Sequence, residues 1–497
     1  MSHLVFVESN TTGTGRMAVE RLLAAGDHVT FVTRCRGWYP FLAACPPRLE
    51  VVEAETNAVE EVVAAVTAIR RRRSVDALLT FSDFYVTIAA EAAARLGYRY
   101  LGAHAARTCR NKALTRQALA AAGLPTPDFW LVASEDAARA LLPELRFPCV
   151  VKPPSDSSSF GVRAVGDAAE LLAQVRLLAG MAENVRGQRL DGCVLVESYL
   201  EGAEYSVETV TLADGSVRVI GVTDKLLSPP PHFVEIGHDF PSAAGPAARA
   251  AIVAAATGAL AAVGFDFGPA HTEVRWTPRG PVVVEVNPRL AGGMIPELVK
   301  HATGIDLLDA FLDLLLGRAP HLAPSIDQVA AIRFVTADRS GSLAGVAGLE
   351  EARLLPAVRE VRIEKPPGAA VQPCENAYHR LGFVIAAGSE RRQVRAAVAA
   401  AMRRLRVEVE PETAPRVSGT LGGQRAAPVA AVPPVDLAPR PAAGEAPGRG
   451  PGLARGPRPA PARRESPLPP APRRRLRRQL PEVRHHADAD DALPDDE

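Results

Sequence analysis

Hydrophobic and polar positions change their rhythm along the chain. Up to about residue 105, short apolar runs (3–8, 28–33, 49–52, 75–80) alternate with stretches (15–25, 57–72, 83–96) whose apolar residues recur at helical spacing. That alternation predicts a parallel α/β sheet with helices on its faces. From 106 to 318 the pattern becomes mixed α+β. It predicts a helix over 108–122, a GLPTP breaker, strands at 128–132 and 147–152, and a long helix over 167–186. An antiparallel set follows at 193–198, 203–211, 216–224, 269–276 and 281–287. Residues 319–411 read as a third α/β piece, with strands near 330–336 and 380–386 and a helix over 391–405. The expected domains are therefore 1–105, 106–318 and 319–411.

All periodicity stops at 412. The last 86 residues hold 17 of the 43 prolines and no Phe, Trp or Tyr, so they lack the apolar area needed to offset ordering entropy. A disordered tail is expected over 412–497. Its arginine cluster (Arg463, Arg464, Arg473, Arg474, Arg475, Arg477, Arg478) is followed by an acidic end, and this self-compensating pattern favours a solvated segment over a nucleic-acid arm.

The net charge of +1 gives no global attraction to nucleic acid or membrane. Six cysteines, at 35, 45, 109, 149, 193 and 374, show no C-x-x-C or zinc spacing, which suits a reducing, cytoplasmic setting. The Ala-rich stretch AIVAAATGALAAVGF, 15 residues, is too short to span a bilayer and reads as a packed helix. The opening strand and turn, with Gly13 and Gly15, begin like a dinucleotide site, but Ala18 stands where the third glycine of G-x-G-x-x-G belongs. A P-loop is also absent.

Three segments carry chemistry. In HTEVRWTPRGPVVVEVNPRLAGG, two strands joined by a turn bear Glu273, Glu285 and Asn287, a hard oxygen set suited to Mg²⁺ with phosphates. Arg289 follows and can grip an anion bidentately. In FPCVVKPPSDSSSFGVRAV, a strand ends in Lys152, and the small-residue loop from Ser155 to Gly161, with Ser157 and Ser158, offers hydroxyls and open backbone N–H groups to phosphates. Upstream, Lys112 near a helix start is disfavoured by the helix dipole, so an anion is a sensible partner. In CVLVESYLEGAEYSVETV, residues 197–200 could meet an adenine edge and Glu204 could accept from ribose hydroxyls.

In this order the segments resemble the ATP-grasp superfamily, over residues 1 to about 411 and most specifically over 108–293. The resemblance implies an α/β domain, Rossmann-like, ahead of an ATP-grasp domain, with a C-terminal α/β subdomain after it. It implies that Lys112 and Lys152 contact ATP phosphates, that the loop with Ser157, Ser158 and Gly161 closes over them, and that Glu197, Tyr199 and Leu200 meet adenine. Glu204 would bind ribose, Glu273, Glu285 and Asn287 would hold Mg²⁺ (Mn²⁺ being the alternative), and Arg289 would face a reacting carboxylate. VTDKLLSPPPHFVEIGHDFP and NPRLAGGMIPELV are most similar to the L-amino-acid ligase group, carboxylate–amine ligases that release ADP and phosphate. On that reading Glu235 and His238 sit on a loop beside Arg289 and bind the amine or take its proton, and Gly292-Gly293 leave room for a donor side chain. The implied partners are a small carboxylate and an amine, amino acids in the first instance, with no membrane and no nucleic acid; a homodimer stays open. An ATP-grasp carboxylase or purine-pathway ligase shares the ATP site, although no A-M-K-M biotin segment is present. A dinucleotide-dependent oxidoreductase would need the opening turn as its site.

Overall fold

A computed structural model describes residues 1–411 other than Thr12, Cys45, Ser158, Ser159, Asp191, Pro230 and Pro231. The expected tail over 412–497 and the candidate Ser158 lie outside the described residues.

The first segment builds β1 (His3–Val7), α1 (Thr14–Ala24), β2 (His28–Thr33), β3 (Leu49–Glu53), α2 (Val59–Arg72), β4 (Ala77–Leu79) and α3 (Val86–Leu96). Its sheet runs β3-β2-β1-β4 with every pair parallel, as the alternation predicts. Side chains alternate across a strand, so Leu4 and Phe6 join the core that holds α1, while Val5 and Val7 join the one that holds α2 and α3. The opening turn is closed by its own side chains: Asn10 Oδ1 accepts from the Gly15 N–H, and a Cβ at Gly15 would sit 1.8 Å from Ser9 Oγ.

The helix expected over 108–122 is two helices, α4 (Ala103–Arg110) and α5 (Lys112–Ala121). Asn111 breaks it: its side chain accepts from the N–H groups of Ala113 and Leu114 and caps the second helix. Next come β5 (Phe129–Val132), α6 (Glu135–Leu141), β6 (Cys149–Lys152), β7 (Arg163–Val165), α7 (Ala168–Ala179) and β8 (Val194–Ser198). They form a small antiparallel sheet, β5-β8-β6-β7, whose core takes in α6 and α7. The helix expected to reach 186 stops at Ala179, before Gly180.

The remainder comprises β9 (Ala203–Thr211), β10 (Val217–Leu227), β11 (Glu235–Phe240), α8 (Pro246–Ala262), β12 (Gly268–Thr277) and β13 (Gly280–Asn287). Then follow α9 (Ile295–Thr303), α10 (Leu307–Leu315), β14 (Val329–Val335), β15 (Gly341–Ala347), α11 (Leu349–Arg353), β16 (Val358–Ile363), β17 (Ala370–Val371), β18 (Gly382–Gly388), α12 (Arg391–Arg404) and β19 (Arg406–Glu410). One eight-stranded antiparallel sheet, β13-β12-β9-β10-β11-β14-β18-β16, runs through most of it. Strand β11 corrects the sequence reading, which took 235–240 as loop. It links the β9–β13 strands to β14, so the residues after 319 extend the same sheet. The Ala-rich stretch lies mostly in α8, with Ile252, Ala256, Ala259 and Leu260 buried against that sheet. No helix among the described residues is long and apolar enough to cross a membrane.

Candidate active site

A cleft of about 260 Å³ is lined on one side by β6, the loop after it and the end of β8, and on the other by β9 to β13. Nearly all the site residues named from sequence line it, with three exceptions. Ser158 is not described. Gly161 is absent from the lining; it turns with φ +67, and a Cβ there would come within 2.8 Å of Leu178, so it serves the turn and its packing. His238 is fully buried behind the wall.

The lysines are held by few acids. Lys152 ends β6, and its Nζ lies 2.6 Å from Glu197 Oε2; the buried Arg116 donates to the same carboxylate from Nε at 2.7 Å and Nη2 at 3.3 Å. Burial pushes the Glu197 carboxyl up, but Arg116 and Lys152 outweigh it and hold the group down to about 2. One carboxylate thus serves two cations, a local surplus of positive charge facing the cleft. The Glu197 side chain is taken up by this pairing, so only its backbone is left for the adenine contact expected of it. Lys112 Nζ donates to the Asp156 carbonyl at 2.9 Å and lies 3.1 Å from Glu285 Oε2.

The opposite wall is a cross-strand charge row. Register pairs Arg275 with Glu204, Glu204 with Lys225, and Lys225 with His238 across β12, β9, β10 and β11. Directly opposed side chains share a face, so opposite charges meet. The buried Lys225 Nζ lies 2.8 Å from Glu204, 2.9 Å from Glu235 and 2.8 Å from Glu273. Burial works against its charge, but the three carboxylates raise its pKa well above the usual value. Glu204 also accepts from Arg275, so its oxygens are engaged by two cations. His271 bridges Glu208 at 3.0 Å and Glu273 at 3.2 Å; those acids overcome burial and raise it to about 9.

Glu235 and His238 are on strand β11, not on a loop. Three residues apart on a regular strand they would face opposite ways, but the register shifts beside Leu226/Leu227 and turns Glu235 to the His238 side. His238 Nε2 lies 3.7 Å from Glu235, and neither ring nitrogen has a hydrogen-bond partner among the described residues. Burial holds the ring neutral, lowering its pKa to about 3. Arg380, stacked 3.9 Å from the Phe334 ring centroid, donates from Nη2 to the Glu235 carboxylate at 3.0 Å.

Arg289 follows β13, and its Nε and Nη2 donate to the two oxygens of Asp83 at 2.6 and 2.7 Å. Gly293 has φ +57, and a Cβ there would meet His238 Nε2 at 2.6 Å; Gly292 has open space. Of the pair, only Gly292 has room for a side chain.

Glu273 and Glu285 are register partners, and Asn287 pairs with His271. No three His, Cys, Asp or Glu side chains among the described residues gather as a metal cluster. Two carboxylates and an amide oxygen on adjacent strands instead fit a hard cation that draws its remaining ligands from phosphate and water.

Sequence reasoning missed Asp83, Arg116, Lys225, His271, Arg275 and Arg380. Some had a signal. Arg116 lies one helical turn after Lys112, and His271 and Arg275 flank Glu273 at strand period two. Asp83 and Arg380 had none, because their partners are distant in sequence.

A family model described as the ATP-grasp domain matches residues 145–297, and one described as L-amino acid ligase C-terminal domain 2 matches residues 333–410. The uncharacterized protein y4rH of Sinorhizobium fredii is 30% identical over 388 residues, 78% of this chain and 79% of that one. Alanine–anticapsin ligase of Bacillus subtilis is 29% identical over 273 residues, 52% of this chain and 57% of that one. The crystal structure of L-amino acid ligase from Bacillus licheniformis superposes with a TM-score of 0.69 at 25% identity, covering 82% of this chain and 99% of that one. With this sheet order and this cleft, the chain belongs to the ATP-grasp superfamily, in its L-amino-acid ligase group of carboxylate–amine ligases.

Proposed function

We propose that the chain joins a carboxylate to an amine at the expense of ATP, through an acyl phosphate, and releases ADP and phosphate. The observation that carries this reading is that Lys152, in the same cleft as Glu273, Glu285 and Arg289, shares its one carboxylate with the buried Arg116 behind the wall. A surplus cation on one wall and an oxygen-rich pair on the other is what phosphoryl transfer to a carboxylate requires.

Lys152 and Lys112 neutralise the phosphates as charge builds on the transferred group, and Ser157 and its loop cover them. Tyr199 and Leu200 border the base, and Glu204, already held by Arg275 and Lys225, presents its remaining lone pairs to ribose. Glu273, Glu285 and Asn287 would hold Mg²⁺, or Mn²⁺, which supplies Lewis-acid stabilisation of the phosphates when bound. Arg289 orients the donor carboxylate and stabilises the oxyanion at the attacked carbonyl. Glu235, anionic between Lys225 and Arg380, binds the incoming amine. His238 stands behind it with its ring held neutral by burial, so it backs the Glu235 wall rather than taking the amine's proton. Amino acids are the proposed substrates, since alanine–anticapsin ligase and L-amino acid ligase are relatives by sequence and structure. A cytoplasmic setting suits the free Cys35, Cys109, Cys149, Cys193 and Cys374.

The test is a phosphate-release screen of amino acids, singly and in pairs, with MgATP, followed by mass spectrometry for amide products. Phosphate release that requires two substrates and yields their condensation product is expected. ATP turnover without amide in any pair would overturn the reading.

A further inference from the structure

Asp83 belongs to the first segment of the chain, in the short turn Asp83–Tyr85 after β4, yet its carboxylate reaches Arg289 of the cleft wall across 206 residues of sequence. Oδ1 accepts from Arg289 Nε at 2.6 Å and Oδ2 from Arg289 Nη2 at 2.7 Å, so carboxylate and guanidinium meet fork to fork. Arg289 Nη1 donates to the Leu290 carbonyl at 3.0 Å. A guanidinium has five N–H bonds. Three are used here, and the two left over sit one on each terminal nitrogen. With its Nε edge paired to Asp83, the orientation of the guanidinium follows that carboxylate.

The same Asp83 Oδ2 also accepts from the Ser157 hydroxyl at 2.7 Å. Ser157 stands in the loop after β6, and Arg110 grips that loop through the Ser155 and Asp156 carbonyls at 2.6 and 3.1 Å. One carboxylate therefore touches both the loop that covers the phosphates and the arginine that faces the carboxylate substrate.

We infer that Asp83 is a positioning residue that couples the two halves of the site: one carboxylate holds both Ser157, on the nucleotide side, and the guanidinium of Arg289, on the donor side, so a ligand that bears on one bears on the other. This rests on the ligase reading for the identity of the two ligands. Its consequence is reciprocal. Nucleotide tightens carboxylate binding, and carboxylate tightens nucleotide binding by the same factor. A purely structural ion pair would change stability and leave that factor alone.

The experiment is calorimetric titration of the twenty proteinogenic L-amino acids into the protein, with and without Mg²⁺ and the non-hydrolysable analogue AMP-PNP. It is run on the wild type, Asp83→Ala, Asp83→Asn and Ser157→Ala. In the wild type the analogue should tighten the best-bound amino acid by about tenfold, within the usual range of coupling factors. Ser157→Ala cuts only the link to the loop, and Asp83→Ala removes both links. Each should bring the factor close to one, whatever the change in affinity for the analogue alone, because the factor compares amino-acid binding with and without saturating analogue. Asp83→Asn, which keeps its size and part of its bonding, should fall between. If Asp83→Ala fails to fold, Ser157→Ala still decides. No coupling in the wild type, or full coupling in a folded Asp83→Ala or in Ser157→Ala, overturns the inference. Because binding is read without turnover, a protein that couples its ligands but makes no amide would sink the ligase reading and leave Asp83 in place.

Discussion

Replacing Arg116 with methionine should weaken both the fold and nucleotide binding, although Arg116 does not line the cleft. The side chain is fully buried; besides Glu197 it donates to the Val283 and Val284 carbonyls at 3.2 and 2.8 Å. At the 2.7 Å contact with Glu197, Coulomb attraction is about 6 kcal/mol at an effective dielectric of 20. Desolvation opposes that, and cutting one partner from a buried pair typically costs about 3–5 kcal/mol. Lys152 still neutralises Glu197 in the variant, which points to the lower half of that range, and the two stranded carbonyls add to it. At roughly 2 cal/mol/K of unfolding entropy per residue, a cooperative unit of this size should lose about 4–6 °C in melting temperature.

The pH dependence gives a second reading. Glu197 falls from an ordinary 4.5 to about 2 on folding, so its stabilisation is complete above 4.5 and is lost as pH falls toward 2, roughly 3 kcal/mol in all. Without Arg116 that acid-sensitive contribution shrinks, so the stability gap between the proteins should narrow between pH 4.5 and 2. Lys152 would then be matched one to one by Glu197, and MgATP affinity should drop severalfold. Thermal melts from pH 3 to 8 and calorimetric titration with nucleotide are the assays. An unchanged melting temperature at pH 7, or a gap constant across the acid range, would refute the charge-sharing argument.

Turnover should produce ADP and phosphate, with AMP absent from chromatograms of the spent nucleotide. Lys152→Ala and Glu285→Gln should each lower kcat by about 10²–10³ with the fold kept, as expected for lost transition-state contacts; near-normal turnover would remove the residue from the site. Gly292→Leu should fold, retain MgATP affinity and shift preference toward smaller carboxylate donors, whereas Gly293→Ala, strained at φ +57 and crowded by His238, should lower the melting temperature. A chain ending at 411 should keep its stability and turnover, because the residues removed hold no aromatic side chain; a large fall in melting temperature would show that they pack on the body.

What the sequence made legible was local. Strand and helix periods located the parallel sheet of the first segment and the β12–β13 pair, because their buried faces recur at fixed spacing. Lysines at the end of an apolar strand and at a helix start are also local signals, and both reach the cleft. Strand β11 was illegible for a physical reason. It runs beside a register irregularity and carries Glu235, His238 and Asp239 on its six residues, so no alternation marks it as a strand. The charge row through Arg275, Glu204 and Lys225 depends on the pairing of β12, β9 and β10, which no single segment encodes. Asp83 with Arg289 and Arg380 with Glu235 are separated by 206 and 145 residues and belong to the tertiary fold alone. Roles were harder than places: Glu197 could be put in the site from its strand end, but only its two buried cations explain what its carboxylate does.

The placement of Arg380 bears on how the protein comes to be active during its synthesis. Its guanidinium docks on a carboxylate borne by β11, and β11 is hydrogen-bonded to β14, which is bonded in turn to β18, just past Arg380. A chain still on the ribosome can finish the early parallel sheet, whose contacts are comparatively short in sequence. It cannot close the charged wall until the strand at 382 has emerged. Until then Glu235 lacks one of its two cations, and the edge of β14 waits for its neighbour β18. The Glu235 wall of the cleft is therefore the last part to mature, and a truncated or prematurely released chain would carry the loop after β6 without the completed charged wall opposite it.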